Sequence, residues 1–155
     1  MTSVYLDVCC LNRPFNDQTQ DRIRLESAAV LTVLKRVDYG QLLLIGSTAI
    51  QAEIDRNRDQ ELKARLQQIA ETATEFVFVG EDQVHRTHDL QALGFHFFDA
   101  LHIACAETAE ADVLLTTDDR FLRLALRVHT RLAVRVANPA DWLMKVVNDD
   151  GRNDG

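Results

Sequence analysis

Two prolines and six glycines in a chain of 155 residues are too few for a collagenous, proline-rich or low-complexity protein. With 46% hydrophobic and 26% charged residues, the composition is that of a chain with a real core. Three cysteines, an odd number with Cys9 and Cys10 adjacent, argue against a disulfide framework. A domain of this size buries about 70% of its unfolded surface and folds without such staples. The opening Met-Thr-Ser-Val-Tyr-Leu-Asp runs into a strand-like pattern with no basic and then apolar segment, so the expected compartment is a reducing cytoplasm. Charges interrupt every hydrophobic stretch well before the ~18 residues needed to cross a bilayer, and a membrane protein is excluded. Basic charge is scarce as well. The 17 Lys and Arg face 24 Asp and Glu, a net charge of −7 that counts against a partner held by a basic surface, such as nucleic acid. Its distribution weakens the objection. The last eight residues carry Asp149, Asp150 and Asp154 against Arg152, and four more acids are expected to converge on one site. The surface left over is close to neutral and has room for local arginine patches.

Val4, Tyr5 and Leu6 before Asp7 read as a short buried strand ending in a carboxylate. Leu42 to Ile45, Phe76 to Val79, Val113 to Leu115 and Ala133 to Val136 repeat the pattern. Helical spacing lies between them: Ile23, Ala28, Leu31, Leu34 and Val37, then Leu62, Leu66 and Ile69. A helix from Gln83 stops at Gly94, and a more apolar one runs from Phe97 to Ala109. Asn138-Pro139 pairs an N-cap with a first-turn proline and starts a last helix. The alternation predicts a single α/β domain over residues 1–147, with a parallel sheet of about four or five strands and helices on both faces. Residues 148–155 are expected to form a disordered acidic tail. In such sheets ligands bind beyond the carboxyl ends of the strands.

Acids stand at those ends. Asp7 comes directly after the first strand, Asp118 and Asp119 come after the fourth, and Glu53 lies in the helix that starts at Ser47 or Thr48. Asp99 sits within Phe97-Phe98-Asp99-Ala100-Leu101-His102-Ile103-Ala104, where an unpaired buried charge is very costly and no basic residue is at hand. Carboxylates brought together repel one another unless a cation joins them, and oxygen donors suit Mg2+ or Mn2+. That chemistry implies phosphoryl transfer with a metal-activated water.

These segments also carry a resemblance. Val4-Tyr5-Leu6-Asp7, Ser47-Thr48-Ala49-Ile50-Gln51-Ala52-Glu53, Asp99-Ala100-Leu101-His102-Ile103-Ala104 and Leu115-Thr116-Thr117-Asp118-Asp119-Arg120-Phe121, in this order and spacing, resemble the PIN-domain nucleases. Within them the match is to the VapC-type toxin ribonucleases of bacterial toxin-antitoxin systems. The resemblance covers most of the chain and implies a PIN-like fold and a metal-dependent endoribonuclease, with Asp7, Glu53, Asp99 and Asp118 as the acidic, metal-holding quartet. Thr116 is a supporting residue and Asp119 an extra candidate. It further implies an RNA substrate, products with 5′-phosphate and 3′-hydroxyl ends, a homodimer, and an antitoxin that occludes the site. One departure stands two residues after Asp7, where the family places a small hydroxyl or amide and this chain has Cys9, a poorer hydrogen-bond partner. Cys9-Cys10-Leu11-Asn12-Arg13-Pro14-Phe15 also reads as a longer, richer loop than usual.

Simpler readings exist for each residue. Asp7 and Asp118 fit helix caps, and Glu53 fits a solvated helix face. His85 and His88 lack the further ligands of a zinc site. His96 and His102 flank Asp99 by three residues on either side and fit a core or rim position. Cys9 and Cys10 read as buried structural thiols, and Arg13, Arg22 and Arg24 as solvated or paired. Two other function classes fit the acids: a non-catalytic RNA- or protein-binding regulatory domain retaining an acidic pocket, and a haloacid-dehalogenase-type phosphatase. The phosphatase requires a second Asp where Cys9 stands.

Overall fold

A computed structural model of the chain describes residues 1–153, with side chains to residue 149. Five strands form one parallel sheet: β1 (Ser3–Leu6), β2 (Leu43–Ser47), β3 (Glu75–Val77), β4 (Val113–Leu115) and β5 (Val136–Ala137), in the order β3-β2-β1-β4-β5. Every residue of β1 and β4 is buried. Since successive side chains point to opposite faces, both faces of the sheet's centre are covered, as the unbroken apolar runs require. Eight helices cover them: α1 (Val8–Asn12), α2 (Asp21–Asp38), α3 (Thr48–Asp55), α4 (Gln60–Ala70), α5 (Glu81–Ala92), α6 (Phe97–Thr108), α7 (Asp119–Arg127) and α8 (Pro139–Asn153).

The register sets which residues leave the sheet together. Val4 lies opposite Leu44 on one side and Val113 on the other, so β1 is central and Asp7, Ser47 and Thr116 emerge side by side at one sheet edge. The pairing continues one step further, with the Asp7 N–H donating to the Leu115 carbonyl at 3.2 Å. From β1 the chain moves outward to β2 and β3, then crosses back to β4 and β5. The reversal between β1 and β4 is where open α/β sheets place a ligand crevice.

Helix ends obey local chemistry. Ser47 caps α3 by accepting the Ile50 N–H at 3.1 Å, and Asp59 caps α4 through the Leu62 N–H. Asn138 caps α8 through the Ala140 N–H at 2.8 Å, with Pro139 in the first position. Gly94 adopts φ +112°, which a side chain would resist, and separates α5 from α6.

Four expectations change. The supposed loop after Asp7 is helix α1 and then a 3-10 turn over Arg13–Phe15, because the Asp7 side chain caps it and Cys10 and Leu11 are buried. The fifth strand starts at Val136 rather than Ala133, whose N–H is drawn to Glu107 Oε2 at 2.7 Å. The third starts at Glu75 and ends at Val77, with the Val79 N–H diverted to Thr48 Oγ1. The backbone expected to be a tail continues α8 to Asn153, and Asp154 and Gly155 lie outside the described residues.

Candidate active site

Asp7 leaves the central strand and caps α1, its Oδ1 accepting the Cys10 N–H at 2.9 Å. Its neighbours on both sides leave it 2% exposed. Thr116, wholly buried just past β4, lies beside the Asp7 carboxyl and favours its ionised form, while its Oγ1 accepts the Asp118 N–H at 3.1 Å. Asp118 caps α7 through the N–H groups of Arg120 and Phe121, at 2.9 and 3.1 Å. Thr116 therefore links the acid after β1 to the acid after β4. Asp99 stands in the first turn of α6, partly buried, and Glu53 in the second turn of α3, its Oε1 2.7 Å from His102 Nε2.

Asp7 and Asp99 each feel others of these four carboxylates. Burial lifts the Asp7 carboxyl to about 6, with Thr116, His102 and the Cys10 N–H opposing and Glu53 adding to the rise. Burial lifts Asp99 to about 7, and Asp7, Asp118 and Glu53 push in the same direction against His102. Cys9 on α1 reports the convergence from another atom. Its side chain reaches solvent, yet crowding first and then Asp7, Glu53, Asp118 and Asp99 hold its thiol well above the ordinary range. Cys9 is thus not the buried structural thiol its sequence suggests, whereas Cys10 is.

Oxygen donors crowded without a counter-charge match a hard divalent cation in chemistry and in sign. Among the described residues, no three His, Cys, Asp or Glu side chains stand at ligand spacing. The donor set fits the ion, and the side chains would have to draw together around it.

The sequence pattern of the PIN domain matches residues 4–126, a span that contains all four acids. The chain belongs to the PIN-domain family. PIN domains are generally nucleases. Among solved structures, the fold is similar to a chain in the crystal structure of VapBC2 from Rickettsia felis bound to a DNA fragment from their promoter. The two share 12% identity and a TM-score of 0.54, over 88% of this chain and 98% of that one. No curated protein sequence matches the chain.

Around this PIN site the remaining candidates separate. Asp119 faces away, held by Arg22 through two bonds of 2.6 and 2.7 Å. Arg13 and Arg22 are engaged by the buried Glu26, which also accepts from Asn138 at 2.6 Å, and Arg24 pairs with Asp21. His85, His88 and His96 are exposed. His102 is 1% exposed and bound to Glu53, so it is both a satisfied core histidine and a neighbour of the site. Sequence reasoning missed its partners, Tyr5 and Ser47. A tyrosine hydroxyl inside a buried strand was the available signal, since such a group needs a partner. A cavity of about 440 Å³ between β2, α3 and α4, lined by Gly46, Ile50, Ile54 and Phe76, contains none of the four acids. No helix among the described residues is long and apolar enough to cross a membrane.

Proposed function

We propose that this PIN domain is a divalent-metal-dependent endoribonuclease that hydrolyses RNA phosphodiester bonds, and that it is the toxin of a type II toxin-antitoxin pair. The observation that carries the reading is the approach of four carboxylates from four separate elements, where burial first and neighbouring carboxylates second lift Asp7 to about 6 and Asp99 to about 7. Structural acids are more often paired with cations, as Glu26 is here.

Asp7, Glu53, Asp99 and Asp118 would hold Mg2+ or Mn2+. The bound ion would supply Lewis-acid polarisation of the phosphate and a water acidic enough to attack near neutral pH. The protein's own residues set the geometry. Thr116 and the Cys10 N–H fix Asp7, the α7 N-terminus fixes Asp118, and His102 fixes Glu53. Arg56, three residues after Glu53, lies over the Phe98 ring beside Asp99 at 5.6 Å and has no carboxylate partner among the described residues. Its guanidinium is free to meet a phosphate, which the acids would otherwise repel.

The likeness to a chain of a VapBC2 complex supports a cognate antitoxin as partner. From the acidic cluster we further infer that the antitoxin sits over it and contributes an Arg or Lys, and we propose a homodimer. The test is to incubate purified protein with structured RNAs in Mg2+, Mn2+ or EDTA and map the ends. Cleavage that needs the metal and leaves 5′-phosphate and 3′-hydroxyl ends supports the reading. Metal-independent cleavage, or none, contradicts it. The replacement of a small hydroxyl or amide by Cys9 favours a second reading, a non-catalytic regulatory domain, and absence of cleavage together with tight RNA or protein binding is its signature.

A further inference from the structure

Behind Glu53 runs a continuous line of buried polar groups. His102 Nε2 meets Glu53 Oε1 at 2.7 Å, His102 Nδ1 meets the Tyr5 hydroxyl at 2.6 Å, and that hydroxyl meets Ser47 Oγ at 2.7 Å. Ser47 Oγ also accepts the Ile50 N–H. Tyr5 is fully buried, and Ser47 and His102 are each 1% exposed. Every hydrogen bond in such a line must be satisfied, because a buried polar group left unpaired costs about 1–3 kcal/mol.

The donors can be assigned from one end. A carboxylate only accepts, so His102 Nε2 carries a proton and donates to Glu53. In the Nε2–H tautomer Nδ1 is an acceptor, and Tyr5 O–H donates to it. The Tyr5 oxygen accepts from Ser47, whose own oxygen is anchored by the first turn of α3. All three bonds point the same way, from the start of α3 through the central strand and α6 back to the end of α3. The line crosses each element that carries one of the acids Asp7, Glu53 and Asp99: Tyr5 precedes Asp7 by two residues on β1, and His102 lies three residues beyond Asp99 on α6.

We propose that Tyr5 and His102 are positioning residues, which hold one oxygen of Glu53 so that the other is presented to the acidic cluster for a divalent cation. Glu53 Oε2 has no hydrogen-bond partner among the described residues, which leaves it available. Without the line, a glutamate in the second turn of a surface helix would sample several rotamers and reach the cluster only part of the time. The inference rests on the nuclease reading for its kinetic consequence, but the positioning itself is measurable without RNA.

The experiment uses the full chain and its Tyr5→Phe, His102→Leu and His102→Gln variants, with Mn2+ alone as the probe. Side-chain nitrogen NMR of the metal-free wild type should show His102 as the Nε2–H tautomer. Calorimetric titration should show Mn2+ affinity about tenfold weaker in Tyr5→Phe and further reduced in His102→Leu, within the ~10–100-fold range for groups that orient metal ligands. His102→Gln, whose amide can still donate to Glu53, should recover part of the loss. On RNA, kcat should fall in the same order with KM unchanged. If Tyr5→Phe only lowers Tm while Mn2+ affinity and the tautomer stay at wild-type values, the residues merely pack and the inference is wrong. An Nδ1–H tautomer in the wild type overturns it equally. A wild type that binds Mn2+ but cuts no RNA removes the nuclease reading and leaves the positioning to be decided by the titrations.

Discussion

Replacing Asp99 by Asn should make the metal-free protein more stable at alkaline pH, an unusual outcome for a partly buried polar residue. In the folded chain this carboxyl titrates at about 7 against an ordinary value of 3.8. Each pH unit of separation corresponds to about 1.4 kcal/mol, so the charged form costs the fold at most about 4 kcal/mol. Partial exposure and the sharing of repulsion with Asp7 reduce this to about 2 kcal/mol. Because the folded value lies above the unfolded one, the stabilising effect of the protonated group is fully present below about pH 4 and is lost as pH rises through 7. Asn carries no charge at either pH, and among the described residues the Asp99 side chain makes no hydrogen bond for the change to break. In EDTA at pH 8, Asp99→Asn should therefore melt roughly 4–8 °C above the wild type. The gap should close progressively toward pH 4, with Asp7, titrating at about 6, adding to the wild type's pH dependence in the same direction. Thermal melts by circular dichroism across pH 4–8 are the assay. A variant that melts below the wild type at pH 8, or a gap that ignores pH, would refute the assignment of Asp99 to a repulsive acidic cluster.

Mn2+ at 100 times its Kd should stabilise the wild type by about 2.7 kcal/mol at pH 8, and much less in Asp99→Asn; equal stabilisation of both would place the ion elsewhere. Glu26→Ala should lower stability by roughly 3–5 kcal/mol in denaturant titrations, since it strands Arg13 and Asn138 at a nearly inaccessible position. Asp119→Asn should retain RNA cleavage and melt close to the wild type, because its exposed pair with Arg22 is a weak contributor; loss of cleavage would bring Asp119 back into the site. Association with a cognate antitoxin should slow as salt rises and weaken in Asp99→Asn, as read by surface-binding kinetics; salt-independent rates would place the antitoxin away from the acids.

The parts of the fold visible in the sequence are those set by buried strands and by charges out of place. Val4 to Leu6 and Val113 to Leu115 are short apolar runs with an acid or threonine immediately after, so strand and site edge could be read together. Asp99 was legible because an apolar helix gives a carboxylate no ordinary reason to be there. Glu53 was not legible by itself, since its bond to His102 joins residues 49 apart and exists only once β1 brings α3 and α6 together. Helix α1 was invisible for a similar reason. Five residues hold no helical period, and the cap from Asp7 and the burial of Cys10 and Leu11, not propensity, create it. The shift of β5 has a tertiary cause too, the pull of Glu107 on the Ala133 N–H. Asp119 reads like its neighbour Asp118, and only the arginine across from it on α2 turns it outward.

The central claim is that the four carboxylates form one metal-dependent hydrolytic site, and cleavage of RNA by wild type and Asp99→Asn, compared in Mn2+ at pH 8, tests it most directly. Metal-dependent cleavage by the wild type is expected, with loss of cleavage in a variant that is folded and at least as heat-stable without metal. Cleavage by Asp99→Asn at the wild-type rate, or loss of activity explained by an unfolded variant, would contradict it.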